Sequence, residues 1–80
     1  MLTAPQVRAA RALLGWSQTE LSTASGISVP TIKRMEGAIG PGRSAADNVQ
    51  AIRAALEAAG VIFIDDDDEG PGVRLKKVSL

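Results

Sequence analysis

Gln18-Thr-Glu-Leu-Ser-Thr-Ala-Ser-Gly-Ile-Ser-Val-Pro-Thr-Ile-Lys-Arg-Met-Glu36 is the stretch that decides the fold. It reads as a short helix, a sharp turn and a second short helix. Ser17 with Glu20 three residues on is the capping-box pattern that starts a helix. Trp16 and Leu21 occupy the two positions of a hydrophobic staple, which fixes how the chain enters. Gly26 falls where the first helix must end, in a position that requires positive φ. Ile27-Ser28 repeats the starting device: Ser28 is the N-cap, Pro30 fits a first helical turn, and Ile27 can staple to Ile32. Gly37 closes the second helix after Glu36.

Helices this short need tertiary cover. Leu21, Ala24, Ile27, Ile32 and Met35 are spaced to face inward together. Gln18, Thr19, Ser28, Val29, Pro30, Thr31, Lys33 and Arg34 are then left outside. That face carries hydroxyls and amides at its start and is basic further on. Such a surface suits close approach to phosphates and insertion of side chains into a major groove.

The stretch resembles the helix-turn-helix of the Cro/cI-type (XRE) transcriptional regulators. The matching residues are Leu14-Gly15-Trp16-Ser17-Gln18, Glu20-Leu21, Gly26-Ile27-Ser28, Thr31-Ile32 and Arg34-Met35-Glu36-Gly37. With its flanking helices the resemblance covers about residues 5 to 60. Ser22 and Ser25 stand where the family usually carries small or apolar core residues. Val29 and Pro30 stand where many members place long polar base readers. The fold implied is mainly α, a four- to five-helix lambda-repressor-like helix-turn-helix domain (1–60); the residues beyond it read, on their own pattern, as a C-terminal β-hairpin extension (61–80) for packing or dimerisation.

The resemblance also implies roles. Gln18 would hydrogen-bond a phosphate. Ser28, Val29 and Pro30 would lie nearest base edges and thymine methyls, and Arg34 would be placed for a bidentate guanine contact. Thr31 and Lys33 would reach bases or phosphate, and Thr19 flanks Gln18 on the same outer face. An arginine in the first helix of the family commonly pairs with the glutamate that closes the recognition helix. Here that would be Arg11 with Glu36, a tie costly to break on one side only.

The 80 residues make one domain near the size where a single core is marginal. There is no cysteine and no histidine, so no disulfide or thiolate site, and neither the commonest general base nor the commonest metal ligand. Trp16 and Phe63 are the only aromatic residues, too few for a base-stacking platform. No apolar run approaches the roughly 20 residues of a membrane span. Met1-Leu-Thr-Ala-Pro5 lacks the basic start and apolar stretch of a signal peptide, which leaves the cytoplasm as the expected location. The formal net charge is zero, but residues 1–43 hold five Lys or Arg against two acids, a net of +3, while Asp65–Glu69 are five consecutive acids. Local charge at the contact governs phosphate attraction.

In chain order, Thr3, Pro5 and Gln6 open the first helix with a capping box, and Val7, Ala10, Leu13 and Leu14 give its inward stripe. Ala38-Ile-Gly-Pro-Gly-Arg43 is turn-rich. It reads either as a plain linker or as a place where backbone amides and Arg43 approach a phosphate. Ser44-Ala-Ala-Asp47 reads as a further capping box, opening a helix with Val49, Ile52, Leu56 and Ala59 inward and Gly60 at its end. Val61-Ile-Phe-Ile64 and Val73-Arg-Leu-Lys76 read as two strands of a hairpin. An isolated hairpin is marginal in water, so it must cover its own core, join a second chain as the dimerisation element over 61–78, or do both. Consecutive acids do not match a calcium loop, so Asp65–Glu69 reads as a solvated acidic turn offset by Arg74, Lys76 and Lys77.

The expected function is that of a sequence-specific double-stranded DNA-binding transcriptional regulator, acting as a homodimer that reads the major groove with the helix at about 28–36. The alternative is a protein-interaction module, such as an antitoxin or adaptor, that engages a protein partner with the same fold. No enzyme chemistry, metal, cofactor or membrane partner is implied.

Overall fold

The structure, a computed structural model, describes residues 2–77. Residue 1 of the expected helical domain and residues 78–80 of the expected hairpin extension lie outside the described residues. The described residues form four α-helices and a two-stranded antiparallel sheet: α1 Ala4–Leu14, α2 Gln18–Ser25, α3 Val29–Glu36, α4 Ala46–Ala58, β1 Val61–Ile64 and β2 Gly72–Leu75. A 3-10 turn, Pro41–Arg43, links α3 to α4.

Local chemistry sets the first three helix starts. Thr3 and Gln6 close a capping box on α1, with Gln6 Oε1 accepting from the Thr3 amide at 2.9 Å. Ser17 and Glu20 do the same for α2 at 3.0 and 3.1 Å. Ser28 Oγ accepts the Thr31 amide at the head of α3. Between α2 and α3 the chain reverses at Gly26, whose φ of +75° is the left-handed region that a side chain resists. Gly37, by contrast, ends α3 in extended backbone, with φ −95°.

The fourth start differs from expectation. Ser44 is not the N-cap of α4. Its amide closes the 3-10 turn on the Pro41 carbonyl at 2.9 Å, so the helix begins two residues later, after Ala45, with no side-chain cap. Asp47 still lies in the first turn.

Val7, Leu21, Ile32, Met35, Ile52 and Leu56 are fully buried, with Ala10 among them and Leu2, Val61 and Phe63 completing the core. Leu14, Trp16, Ile27 and Val49 pack on its margin. Two expected core residues are outside. Leu13 is 42% exposed, because Val7, Ala10 and Leu14 already define the inward line of α1. Ala24 is exposed because the covered face of α2 runs through Gln18, Leu21, Ser22 and Ser25 at helical spacing.

The hairpin covers its own helices. Val61 and Phe63 enter the core, and the strands pair in the register Val61–Leu75, Ile62–Arg74, Phe63–Val73 and Ile64–Gly72. The second strand therefore starts one residue earlier than its alternation suggested and ends at Leu75 rather than Lys76. Gln6, only 5% exposed, sends its amide to the carbonyls of both Ile64 and Gly72, at 3.1 Å each. Arg53 on α4 lies over the Phe63 ring, 5.3 Å from its centre. Asp65–Glu69 are all exposed and form a turn closed by Gly70 N–H on the Asp67 carbonyl.

Candidate nucleic-acid interface

The α2–turn–α3 unit presents one face of α3 to solvent. Ser28, Pro30, Lys33 and Arg34 are exposed, while Val29 and Thr31 are half-covered. A short chain of polar groups runs along this face. Ser28 Oγ donates to Thr31 Oγ1 at 2.9 Å, and Arg34 Nη2 donates to the same oxygen at 3.2 Å. The Arg34 guanidinium is thus held along the helix beside the residues that lead it. Thr19, on α2, is exposed and has its carbonyl taken by the Thr23 hydroxyl.

Arg43 comes next to this row. A groove of about 340 Å³ between α3 and the head of α4 is lined by Thr31, Arg34, Ile39, Arg43, Ser44 and Asn48, among others. The fold therefore gathers Thr31, Arg34 and Arg43 around one hollow. Ile39, Ser44 and Asn48 belong to the same hollow and were missed in the sequence, since only the 3-10 turn brings them there. The head of α4, with Ala45 as its cap, offers first-turn amides without a side-chain acceptor, and such amides suit a phosphate oxygen.

Behind the exposed face, α3 is anchored at its last residue. Glu36, 5% exposed, receives Arg11 Nε and Nη2, each at 2.7 Å, and Gln18 Nε2 at 3.1 Å. Gln18, expected at a phosphate, therefore spends one of its two amide hydrogens on this carboxylate. Arg8 donates to the Glu36 carbonyl, a contact missed in the sequence although Arg8 lies one turn before Arg11 on the same helix. Burial pushes the Glu36 carboxyl up. The hydrogen bonds from Arg11 and Gln18, with the charges of Arg11 and Arg8, outweigh that and hold it below its ordinary value. The Glu36 hydrogen bond in turn raises the Arg11 guanidinium, against the opposing effect of its own partial burial.

Every α3 side chain named for the interface thus sits on a helix fixed from behind by α1 and α2. Among the described residues no helix is long and apolar enough to cross a membrane. No curated protein matches the chain. A family model described as helix-turn-helix matches residues 7–57, from within α1 to the last turn of α4 and well over half of the chain. The capped helices, the left-handed turn and the solvent-facing α3 lie within or beside that span, and the chain belongs to the Cro/cI-type (XRE) helix-turn-helix family of DNA-binding transcriptional regulators.

Proposed function

We propose that the protein reads a specific duplex sequence as a two-fold dimer, with α3 in the major groove. The observation that carries this reading is the exposed row Ser28, Pro30, Lys33 and Arg34, with Arg43 beside it. Arg34 takes a guanine edge through its two terminal nitrogens, and Val29 and Pro30 give apolar contact to thymine methyls. Lys33 and Thr31 serve bases or backbone. Arg43 and the open amides of α4 hold a phosphate beside the groove, and Gln18 and Thr19 approach the backbone from α2. Two such helices on a two-fold dimer match half-sites about 34 Å apart.

The test is selection of bound duplexes from a random pool, followed by titration of the selected duplex across a salt series. A recovered two-fold sequence, with affinity falling steeply as salt rises, is the expected result. Affinity independent of salt, or no sequence recovered, overturns the reading.

A further inference from the structure

We infer that the outer face of α1, with the groove beside it, is a docking site for a basic amphipathic helix of another protein: an apolar stripe holds the middle of that helix and the acidic turn of the hairpin holds one end. The site is independent of the duplex reading above.

The make-up of α1 is the first observation. A surface helix ordinarily carries polar or charged residues on the side away from the core. α4 does so, with Asp47, Gln50 and Glu57 exposed. α1 does not. Its inward line is Val7, Ala10 and Leu14. Away from that line lie Pro5, Ala9, Ala12 and Leu13, neighbours at helical spacing with no polar atom in any side chain. Pro5, Ala12 and Leu13 are exposed and Ala9 is half-covered. The polar residues of the helix are engaged elsewhere. Arg8 and Arg11 both donate to Glu36, and Gln6 donates to the hairpin. A continuous apolar stripe left bare in this way marks a contact surface.

The stripe has a channel beside it. An open, largely apolar groove of about 480 Å³ runs between α1 and β2, lined by Pro5, Ala9, Pro71 and Val73 among others. Pro5 and Ala9 belong to both stripe and groove, so the two form one surface. Ala9 and Ala12 are small enough for a second helix to come close. An apolar helix face laid into such a groove is a common mode of recognition.

Charge says which helix. Gln6 Nε2 donates to the carbonyls of Ile64 and Gly72, the residues on either side of the acidic turn. Both ends of the turn are therefore tied to the first turns of α1, and Asp65–Glu69 stand at that end of the stripe, all exposed. Among the described residues none of the five forms an ion pair; the pairs present are Arg11–Glu36 and Arg53–Glu57. An occupant of the groove meets five unmatched carboxylates at one end, and lysines or arginines there complement them. The α1 face of a second copy brings no free cation, since its Arg8 and Arg11 are engaged by Glu36. Arg11, which braces α3, leaves α1 on a different side from Pro5, Ala9 and Leu13. An occupant of this face thus leaves the row on α3 open to DNA.

The experiment is calorimetric titration of the full chain with two synthetic helical peptides of about 18 residues, each with leucine at every third or fourth position. One carries lysine at its remaining positions and the other glutamate. The lysine peptide is expected to bind at one site, more weakly as salt rises, and the glutamate peptide to bind at least roughly tenfold less tightly. Ala9→Gln with Leu13→Gln removes the apolar stripe without adding charge and should weaken the lysine peptide by roughly tenfold. If Ala9→Gln disturbs folding, Leu13→Gln alone, at an exposed position, gives the same reading. Asp66→Asn with Asp68→Asn and Glu69→Gln should weaken it by a similar factor. No binding of the lysine peptide, equal binding of both peptides, or binding unchanged by the glutamine variants would each overturn the site. A chain that self-associates and is made monomeric by Leu13→Gln would also overturn it, since a second copy would then cover the face. The Leu13→Gln variant should bind the selected duplex as the wild type does, so failure here and failure of the duplex reading are told apart.

Discussion

The Arg11 guanidinium grips both oxygens of the Glu36 carboxylate, Nε on Oε2 and Nη2 on Oε1, at 2.7 Å each. The two residues lie 25 apart in sequence, on α1 and at the end of α3. With Gln18 on the same carboxylate and Arg8 on the Glu36 carbonyl, two helices fix the attitude of a third. Side chains along α3 can then be aimed only as a set, and any change at the clasp is felt along the whole row.

Arg11→Ala should be the costliest single change in this cluster. It leaves a buried carboxylate short of its cation, a loss of about 3–5 kcal/mol when burial is complete. Arg11 keeps 20% exposure, so roughly 2 kcal/mol is expected. Arg8→Ala removes one hydrogen bond to a carbonyl and should cost about 1 kcal/mol. Thermal melts should place the Arg11 variant well below the Arg8 variant; equal shifts would count against the clasp.

Acid should dissolve the same clasp. The Glu36 carboxyl is held below its ordinary value, so the folded state binds fewer protons than the unfolded chain through the acidic range. The stability it contributes is present in full above the unfolded value of about 4.3 and is lost as pH falls through the lower folded value. Glu36→Gln should therefore be less stable than wild type at neutral pH and should draw level with it on acidification. A gap that stays constant from pH 7 to pH 3 would contradict this.

Arg34→Ala should weaken binding of the selected duplex by about 1–3 kcal/mol and relax preference at one base pair per half-site. Gln18→Ala should weaken all sequences alike and also lower the melting temperature slightly, through its bond to Glu36. Competition gel shifts at fixed salt separate the two; a uniform loss from Arg34→Ala would move that residue from base to backbone.

Gly26→Ala should cost about 1–2 kcal/mol through its positive φ alone, since no atom lies within 4 Å of where its Cβ would stand. Gly26→Asn should lose less, because asparagine tolerates the left-handed region. Urea melts of the two variants test the ranking.

Gln6→Ala should cost roughly 2–3 kcal/mol, since two strand carbonyls and the α1 cap lose their partner together. Cleavage in the exposed Asp65–Glu69 turn by an acid-specific protease should accelerate in parallel. A melt shift without faster cleavage would mean that the hairpin is held elsewhere.

What the sequence revealed was local. Thr3, Ser17 and Ser28 are caps whose partners lie three residues away, so their helices could be read directly. Leu21, Ile32 and Met35 could be placed inside because their spacing leaves few alternatives. Ala24 could not, because eight residues of α2 give too short a stripe to define its centre, and serines share its covered face. Ser44 misled because a cap motif is real only if the preceding backbone leaves it at the helix start, and the 3-10 turn pulls it one step away. The hollow around Arg43, the bond from Arg8 and the bridge from Gln6 depend on chain segments far apart in sequence, where no spacing rule reaches.

The Gln6 bridge has a temporal consequence. Its two acceptors lie 58 and 66 residues further along the chain. A nascent polypeptide emerging from the ribosome can wind α1 to α3 and bury much of their shared interior. It cannot seat the first helix fully until β2 has been synthesised and released. Completion therefore waits on the emergence of β2, and a chain cut short before Gly72 would carry an uncovered α1 flank ready to stick to its neighbours.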